Sequence, residues 1–99
     1  MTITEKNDGG RITLEVDGRV DINTSPKLQE AILNALKASK NCALDFSKVV
    51  YLSSAGLRAL LIGQKTASSK GAKLELHNPT PTVKAVLDSV GFSKVLTIK

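Results

Sequence analysis

The sequence predicts a mixed α/β domain, in which an N-terminal β-hairpin precedes parallel β-α units and about three main helices pack on one mixed sheet. The segment Arg11 to Val16 alternates apolar and polar residues, which is typical of a half-buried strand. From residue 25 onward, apolar residues at helical spacing alternate with short apolar stretches. This alternation predicts parallel strands joined by right-handed crossovers, with binding groups at the carboxyl ends of the strands.

Length and composition indicate a single domain spanning 1–99 with an ordinary core. No apolar run approaches the roughly 18 residues that a membrane helix needs, and the N-terminus lacks a signal-peptide pattern. We therefore expect a cytoplasmic protein without membrane insertion. The net charge is +5, but the lysines are scattered and only 3% of the residues are aromatic. A solvated lysine surface is favoured over direct nucleic-acid binding.

The predicted hairpin joins strands at 2–6 and 11–16 through the turn signal Asn-Asp-Gly-Gly at 7–10. A second turn is predicted at Asp17-Gly18. The first helix is expected to begin with Ser25 as its cap and Pro26 in its first position, and to end near 39–41. Its core-facing stripe consists of Leu28, Ala31, Ile32, Ala35 and Leu36.

The apolar run 42–46 predicts a central strand with Cys42 as a small core residue, and 47–52 is predicted to be a connector. A second helix is expected at about 55–69, with its first two turns deeply buried and with Gly63 destabilising unless another element packs closely there. Gly71 is expected to end this helix, and 73–77 is predicted to be a strand.

The third helix is predicted to have Thr80 as its cap and Pro81 in its first position, and to stop at Gly91. A short strand at 95–98 is predicted to end the fold. The apolar stripe of this helix is expected to be buried and consists of Val83, Val86, Leu87 and Val90. Val86→Asp should therefore unfold much of the protein, because it would bury an unpaired charge.

Two serines, Ser53 and Ser54, lie where the predicted connector becomes the second helix. The first backbone N–H groups of a helix have no internal partner, so a serine there can cap the helix. The same position favours a negative charge. Ser54 is therefore either a helix cap or a hydroxyl that carries a phosphate.

Catalytic and metal-binding patterns are absent from the sequence. His77 has no nucleophile and acid at a suitable spacing, so a structural or surface role is favoured. There is no Cys/His cluster for zinc and no glycine-rich phosphate loop. We expect a protein that is not an enzyme and that carries no metal or cofactor.

The segments Asp45-Phe46-Ser47 and 51–57, Tyr-Leu-Ser-Ser-Ala-Gly-Leu, resemble the signature of the STAS domain of bacterial anti-sigma factor antagonists. Gly18-Arg19-Val20-Asp21, followed by Thr24 and Leu28, resembles another segment of that family, and the resemblance covers essentially the whole chain. It implies a STAS-like fold and places Ser54 on the serine that the anti-sigma factor, a kinase, phosphorylates. Ser53 stands where the family has aspartate, and Ala55 stands where it has a second serine.

The resemblance also implies function and partners. The unphosphorylated protein would bind an anti-sigma factor serine kinase and release the sigma factor, phosphorylation of Ser54 would end that binding, and a serine phosphatase would reset it. The partner-binding residues would be Asp21, Ser53, Ala55, Gly56, Leu57 and Arg58. Three of these residues have an alternative interpretation without a partner: Asp21 could stabilise a turn, Gly56 could allow close helix packing, and Arg58 could be a solvated surface residue. The alternative function is a small cytoplasmic STAS subunit of a membrane transport complex.

Overall fold

The computed structural model describes residues 1–99 and contains five strands, three α-helices and one 3-10 turn. The elements, in chain order, are β1 (Thr2–Asp8), β2 (Arg11–Val20), α1 (Ser25–Ala38), β3 (Asn41–Leu52), α2 (Ser54–Lys70), β4 (Lys73–His77), α3 (Pro81–Ser89), the 3-10 turn (Phe92–Lys94) and β5 (Thr97–Ile98). The strands form one sheet in the order β1-β2-β3-β4-β5. Strand β1 is antiparallel to β2, and the other pairs are parallel. The predicted fold class is therefore confirmed.

One contiguous core of 21 buried residues draws on all three helices and on β2, β3 and β4. On β2, buried Ile12, Leu14 and Val16 alternate with half-buried Arg11, Thr13 and Glu15, because successive side chains of a strand point to opposite faces. One face of the sheet thus lies against the core, and the other face is polar. Cys42 is buried, as predicted, and burial raises the pKa of its thiol. No helix of the chain is both long enough and apolar enough to cross a membrane.

The hairpin forms where the sequence predicted it, with Gly9 and Gly10 in the left-handed region at φ of 59° and 87°. The turn predicted at Asp17-Gly18 is wrong, because β2 continues through both residues to Val20. The pairing of β2 with β3 shifts register on both sides of this dipeptide, and Gly18 has a φ of 110°. The turn-like residues therefore form an irregular stretch within a continuing strand.

Helix α1 spans Ser25–Ala38, and its cap position is Thr24, not Ser25. The predicted cap was one residue late because the carboxylate of Asp21 binds the backbone N–H groups of Asn23 and Thr24 and so turns the chain earlier. Ser25 is instead a buried residue of the first turn. The apolar stripe lies in the core as predicted, except that Ala31 is half-buried.

Strand β3 is twelve residues long, so the predicted connector at 47–52 is wrong. Its second half remains paired to β2, with Val49 opposite Gly18 and Leu52 opposite Val20. Val49 and Leu52 are buried, whereas Val50 and Tyr51 between them are exposed. Pairing with β2 extends the strand to Leu52, and Val49, Val50 and Tyr51 are residues that strands favour.

Helix α2 begins one residue earlier than predicted and ends at Gly71, whose φ is 66°. Its first turns are only partly buried: Gly56, Ala59 and Leu60 are buried, whereas Ala55, Leu57, Leu61 and Ile62 are half-buried. The prediction of deep burial all round is wrong, because α1 and the sheet cover one side of α2 and leave the other side toward solvent. Gly63 lies where elements pack closely, since a Cβ added there would lie 2.7 Å from Cγ2 of Ile32.

Helix α3 has the predicted cap, with the hydroxyl of Thr80 accepting from the N–H of Val83. Val83 and Leu87 are buried, but Val86 is half-buried and Val90 is 54% exposed. The prediction of a fully buried stripe is therefore wrong at two positions. The chain turns away at Gly91, and the last strand is limited to Thr97–Ile98.

On the polar face of the sheet, Glu75 is held by three basic side chains. Its carboxylate lies 3.0 Å from Nε2 of His77, 3.0 Å from Nζ of Lys99 and 3.3 Å from Nη2 of Arg11. Nε2 of His77 also lies 2.9 Å from Nη2 of Arg11, so this nitrogen either accepts from Arg11 or donates to Glu75. The hydrogen bond with His77, followed by that with Lys99, holds the pKa of Glu75 below its ordinary value of 4.5.

Because folding lowers the pKa of Glu75, this carboxylate stabilises the protein at pH values above 4.5 and loses that effect as the pH falls through its folded pKa. We expect Glu75→Gln to lose less stability than the wild type between pH 6 and acid conditions, roughly pH 3. Urea unfolding at both pH values measures this, with exposed Glu30→Gln as the control. Parallel acid profiles for the wild type and Glu75→Gln would contradict the expectation.

Candidate partner-binding site

The loops that follow β2 and β3 lie side by side at the carboxyl ends of the two strands. The backbone N–H of Ser53 donates to the carbonyl of Val20, with a distance of 2.9 Å. Asp21 follows Val20 directly, and Ser54 follows Ser53. The fold therefore brings Asp21 close to the two serines, although more than thirty residues separate them along the chain.

The two serines at the start of α2 have different positions. Ser53 is the cap, and its hydroxyl accepts from the N–H of Gly56 at 3.2 Å. Ser54 is the first residue of the helix and is exposed. Because Ser53 supplies the cap, the Ser54 hydroxyl is available to solvent at a helix N-terminus, where a negative charge is favoured.

This geometry predicts unequal costs for replacing the two serines. Ser53→Ala is expected to lower the free energy of unfolding by about 0.5–2 kcal/mol, because it removes a cap. Ser54→Ala is expected to change it by less than about 0.5 kcal/mol, as for an ordinary surface residue. Urea unfolding of the two variants measures the difference. A larger loss for Ser54→Ala than for Ser53→Ala would contradict the assignment of the cap.

Asp21 organises the turn between β2 and α1. Its Oδ1 accepts from the N–H of Asn23 at 2.9 Å and from that of Thr24 at 3.0 Å. The Thr24 hydroxyl accepts from the N–H of Asp21 and donates to the carbonyl of Arg19. The hydrogen bond from the Thr24 N–H, followed by that from Asn23, holds the pKa of Asp21 below its ordinary value of 3.8. The turn-stabilising role of Asp21 is therefore present in the structure, and a partner-binding role stays a prediction.

The other predicted partner-binding residues lie along the first turns of α2 in different environments. Gly56 is buried, and a Cβ added there would lie 2.6 Å from Leu52 and 2.8 Å from Val20, so close packing requires a glycine. Leu57 packs partly against the core. Ala55 and Arg58 line an open groove of about 520 Å³ between α1 and α2. Contact of these residues with a partner stays a prediction.

Three exposed apolar side chains near the serines were not among the site residues that the sequence predicted. Ile22, next to Asp21, is 75% exposed and also lines the groove between α1 and α2. Val50 is 62% exposed, and Tyr51 is 39% exposed. The guanidinium of Arg19 lies 4.3 Å from the centre of the Tyr51 ring, which is a cation–π contact. The sequence did carry a signal for Ile22, because it is the one apolar residue in the otherwise polar loop 21–24.

No group of three or more His, Cys, Asp and Glu side chains in the chain is placed to hold a metal ion. The single histidine, His77, contacts Glu75 and Arg11 and has no serine or cysteine partner. The site around Ser54 combines an exposed hydroxyl, a charged turn and exposed apolar side chains. Such a surface is suited to binding another protein.

Comparison with known proteins identifies the family. The family model described as "Mlab, STAS domain" matches residues 3–97. The chain therefore belongs to the STAS family, as the resemblance implied. A STAS-domain containing protein of Pseudomonas aeruginosa (strain UCBPP-PA14) is 24% identical over 98 residues, which cover 99% of this chain and 97% of that protein.

Solved structures share the fold at low sequence identity. The unphosphorylated form of SpoIIAA, an anti-sigma factor antagonist, superposes with a TM-score of 0.84 at 17% identity, covering 99% of this chain and 88% of that one. The phosphorylated form of SpoIIAA from Bacillus gives 0.76 at 16% identity, covering 99% and 91%. A sulfate transporter family protein from Wolinella succinogenes gives 0.79 at 20% identity, covering 92% and 75%. The fold is thus shared with an anti-sigma factor antagonist and with a sulfate transporter family protein.

Proposed function

We propose that this protein is a cytoplasmic anti-sigma factor antagonist that acts as a binding module and not as an enzyme. The unphosphorylated form binds a serine-kinase anti-sigma factor and so releases the sigma factor. The kinase phosphorylates Ser54 and ends the binding, and a serine phosphatase restores the first state. The observation that carries this proposal is the exposed Ser54 at the first position of α2, with the cap supplied by Ser53.

The proposed switch follows from the charge and size of a phosphate. Phosphorylation adds about −1.5 to −2 charges and three acceptor oxygens. The N-terminus of α2 favours that charge, so the fold should tolerate it. A partner surface fitted to the neutral serine would instead meet a bulky anion. The effect of phosphorylation therefore falls on binding.

Ser53, in place of the family's aspartate, fits this proposal physically. Serine and aspartate are both favourable caps, so the helix start is preserved. Serine leaves the neighbouring position uncharged, and the phosphate on Ser54 would not face an adjacent carboxylate. The partner-binding surface would consist of the start of α2 together with Asp21 and the exposed apolar side chains of Ile22, Val50 and Tyr51.

Asp21 is predicted to assist phosphorylation through its charge. Asp21→Asn keeps one side-chain carbonyl oxygen for the turn, so its melting temperature should stay within a few degrees of the wild type. The loss of charge should slow the phosphorylation of Ser54 severalfold. Phosphorylation rates and melting temperatures of both proteins measure this. Unchanged kinetics would leave Asp21 with its turn-stabilising role alone.

The direct test of the proposal is incubation with ATP and each candidate serine-kinase anti-sigma factor from the same genome, followed by mass spectrometry. We expect one kinase to add a single phosphate at Ser54 and to add none to Ser54→Ala. Ser53→Ala is the matched control, because it retains the acceptor. Phosphate on another residue, or on none with every kinase, would contradict the proposal.

The second candidate is a small STAS subunit of a membrane transport complex. It is supported by the fold shared with a sulfate transporter family protein. In that case the protein would co-purify with a transporter ATPase and remain unphosphorylated in cells. Affinity purification from cells, followed by identification of partners and of the phosphorylation state of Ser54, distinguishes the two functions.

A further inference from the structure

The end of the domain opposite Ser54 carries a concentration of lysines. Lys37, Lys40 and Lys70 line a notch of about 440 Å³ between the C-terminal ends of α1 and α2, together with Leu36, Ala38 and Ser39. Lys70 is at least 30 residues from Lys37 and Lys40 along the chain, and the fold brings the three lysines together. We call this surface the lysine notch.

The charge of the lysine notch is not neutralised within the chain. The ion pairs of the protein involve Lys6, Lys84, Lys99, Arg11 and His77, and none involves a lysine of the notch. The hydroxyl of Ser39 donates to the carbonyl of Gly10, so the β1–β2 turn borders the notch. The carboxylate of that turn, Asp8, is exposed and makes no ion pair.

Stabilisation of the helices explains only part of this charge. Lys37 and Lys70 lie in the last turns of α1 and α2, where a positive charge is favourable. Each helix end carries the equivalent of only about half a negative charge. Lys40 lies beyond the end of α1, and the three lysines together exceed what the two helix ends require.

We propose that the lysine notch binds an acidic segment of a partner protein. The notch is an open depression between two helix ends, so an extended chain with several carboxylates can lie across it. It contains no arginine and no aromatic ring, so it lacks the forked donors and stacking surfaces that favour nucleic acid. None of the exposed large apolar side chains lines it, which leaves nothing to enter a lipid bilayer.

The lysine notch and Ser54 are separate sites. They lie at opposite ends of α2, which has 17 residues. At 1.5 Å per residue, this places Ser54 and Lys70 about 24 Å apart. Lys37 also lines the groove between α1 and α2, so the two surfaces adjoin at this residue. Ser54 itself lies at the far end of α2, so a phosphate there would not block the notch. This inference does not depend on the proposed function.

The test uses fluorescence anisotropy of a labelled twelve-residue oligoglutamate at low salt. Lys37→Gln/Lys70→Gln removes two charges at the notch, and Lys27→Gln/Lys48→Gln removes two exposed charges elsewhere. We expect the notch variant to bind the peptide about fivefold more weakly than the wild type, and the control variant to bind within about twofold. Ser54→Asp should bind as the wild type does, and all variants should remain folded at the assay temperature, although the loss of two helix-end charges lowers the melting temperature of the notch variant somewhat.

The other anions are included as separate arms: a labelled 20-base-pair DNA duplex, and vesicles of phosphatidylglycerol and phosphatidylcholine. Equal losses of peptide binding in the two double variants would show an effect of net charge alone and would overturn the proposal. Absence of peptide binding would also overturn it. Tighter binding of the DNA or the vesicles than of the peptide, lost in the notch variant only, would overturn the assignment to an acidic protein.

Discussion

Under the proposed function, phosphorylation of Ser54 is expected to weaken binding of the cognate kinase more than a hundredfold. A loss of about 3 kcal/mol in binding free energy corresponds to this change in Kd. The phosphate is placed at the exposed start of α2, next to the half-buried Ser53 and Ala55. A partner surface that packs closely on these small side chains would have to accommodate a dianion. Calorimetry of the kinase against both forms of the protein measures the effect.

Variants of Ser54 separate the effect of charge from that of the hydroxyl. Ser54→Ala should bind as tightly as the unphosphorylated protein and stay bound in the presence of ATP, because no acceptor remains. Ser54→Asp adds one charge and less bulk than phosphate, so its affinity should be intermediate. If the phosphorylated and unphosphorylated forms bind equally well, Ser54 is not a binding switch.

Leu87→Asp is expected to unfold most of the protein. Leu87 is fully buried on the core side of α3. Truncating a buried leucine costs about 2–5 kcal/mol, and placing an unpaired carboxylate there adds to that cost. Small domains have total stabilities of about 5–15 kcal/mol. Circular dichroism at about 25 °C should therefore show a large loss of folded structure.

The same helix supplies matched controls for Leu87→Asp. Val90→Asp introduces the same charge at a position that is 54% exposed, and it should change stability by less than about 0.5 kcal/mol. Val86→Asp, at a half-buried position, should give an intermediate loss. A stability loss at Val90 as large as that at Leu87 would contradict the orientation of α3 in the structure.

The sequence alone predicted the elements whose signals are local. Thr80 with Pro81 starts α3, and Gly71 and Gly91 end the helices before them, because capping and left-handed conformations depend on single residues. The opening hairpin and the alternation of helices and strands predicted the mixed sheet, the resemblance to STAS domains implied the same fold and the family, and both are confirmed. It also located Ser54 at a helix start, although it left open which serine is the cap.

Only the tertiary structure decided the features that depend on distant contacts. Pairing with β2 extends β3 through the predicted connector, and the side of α2 that faces α1 determines which of its apolar residues are buried. The hydrogen bond from Ser53 to Val20 brings Asp21 to the serines, and the ends of α1 and α2 bring Lys37 and Lys70 together. Local sequence patterns indicate the hydrophobic period and the ends of each helix and strand. They do not indicate which residues of other elements pack against it. Those tertiary contacts determine burial, the clustering of charges and the geometry of the site.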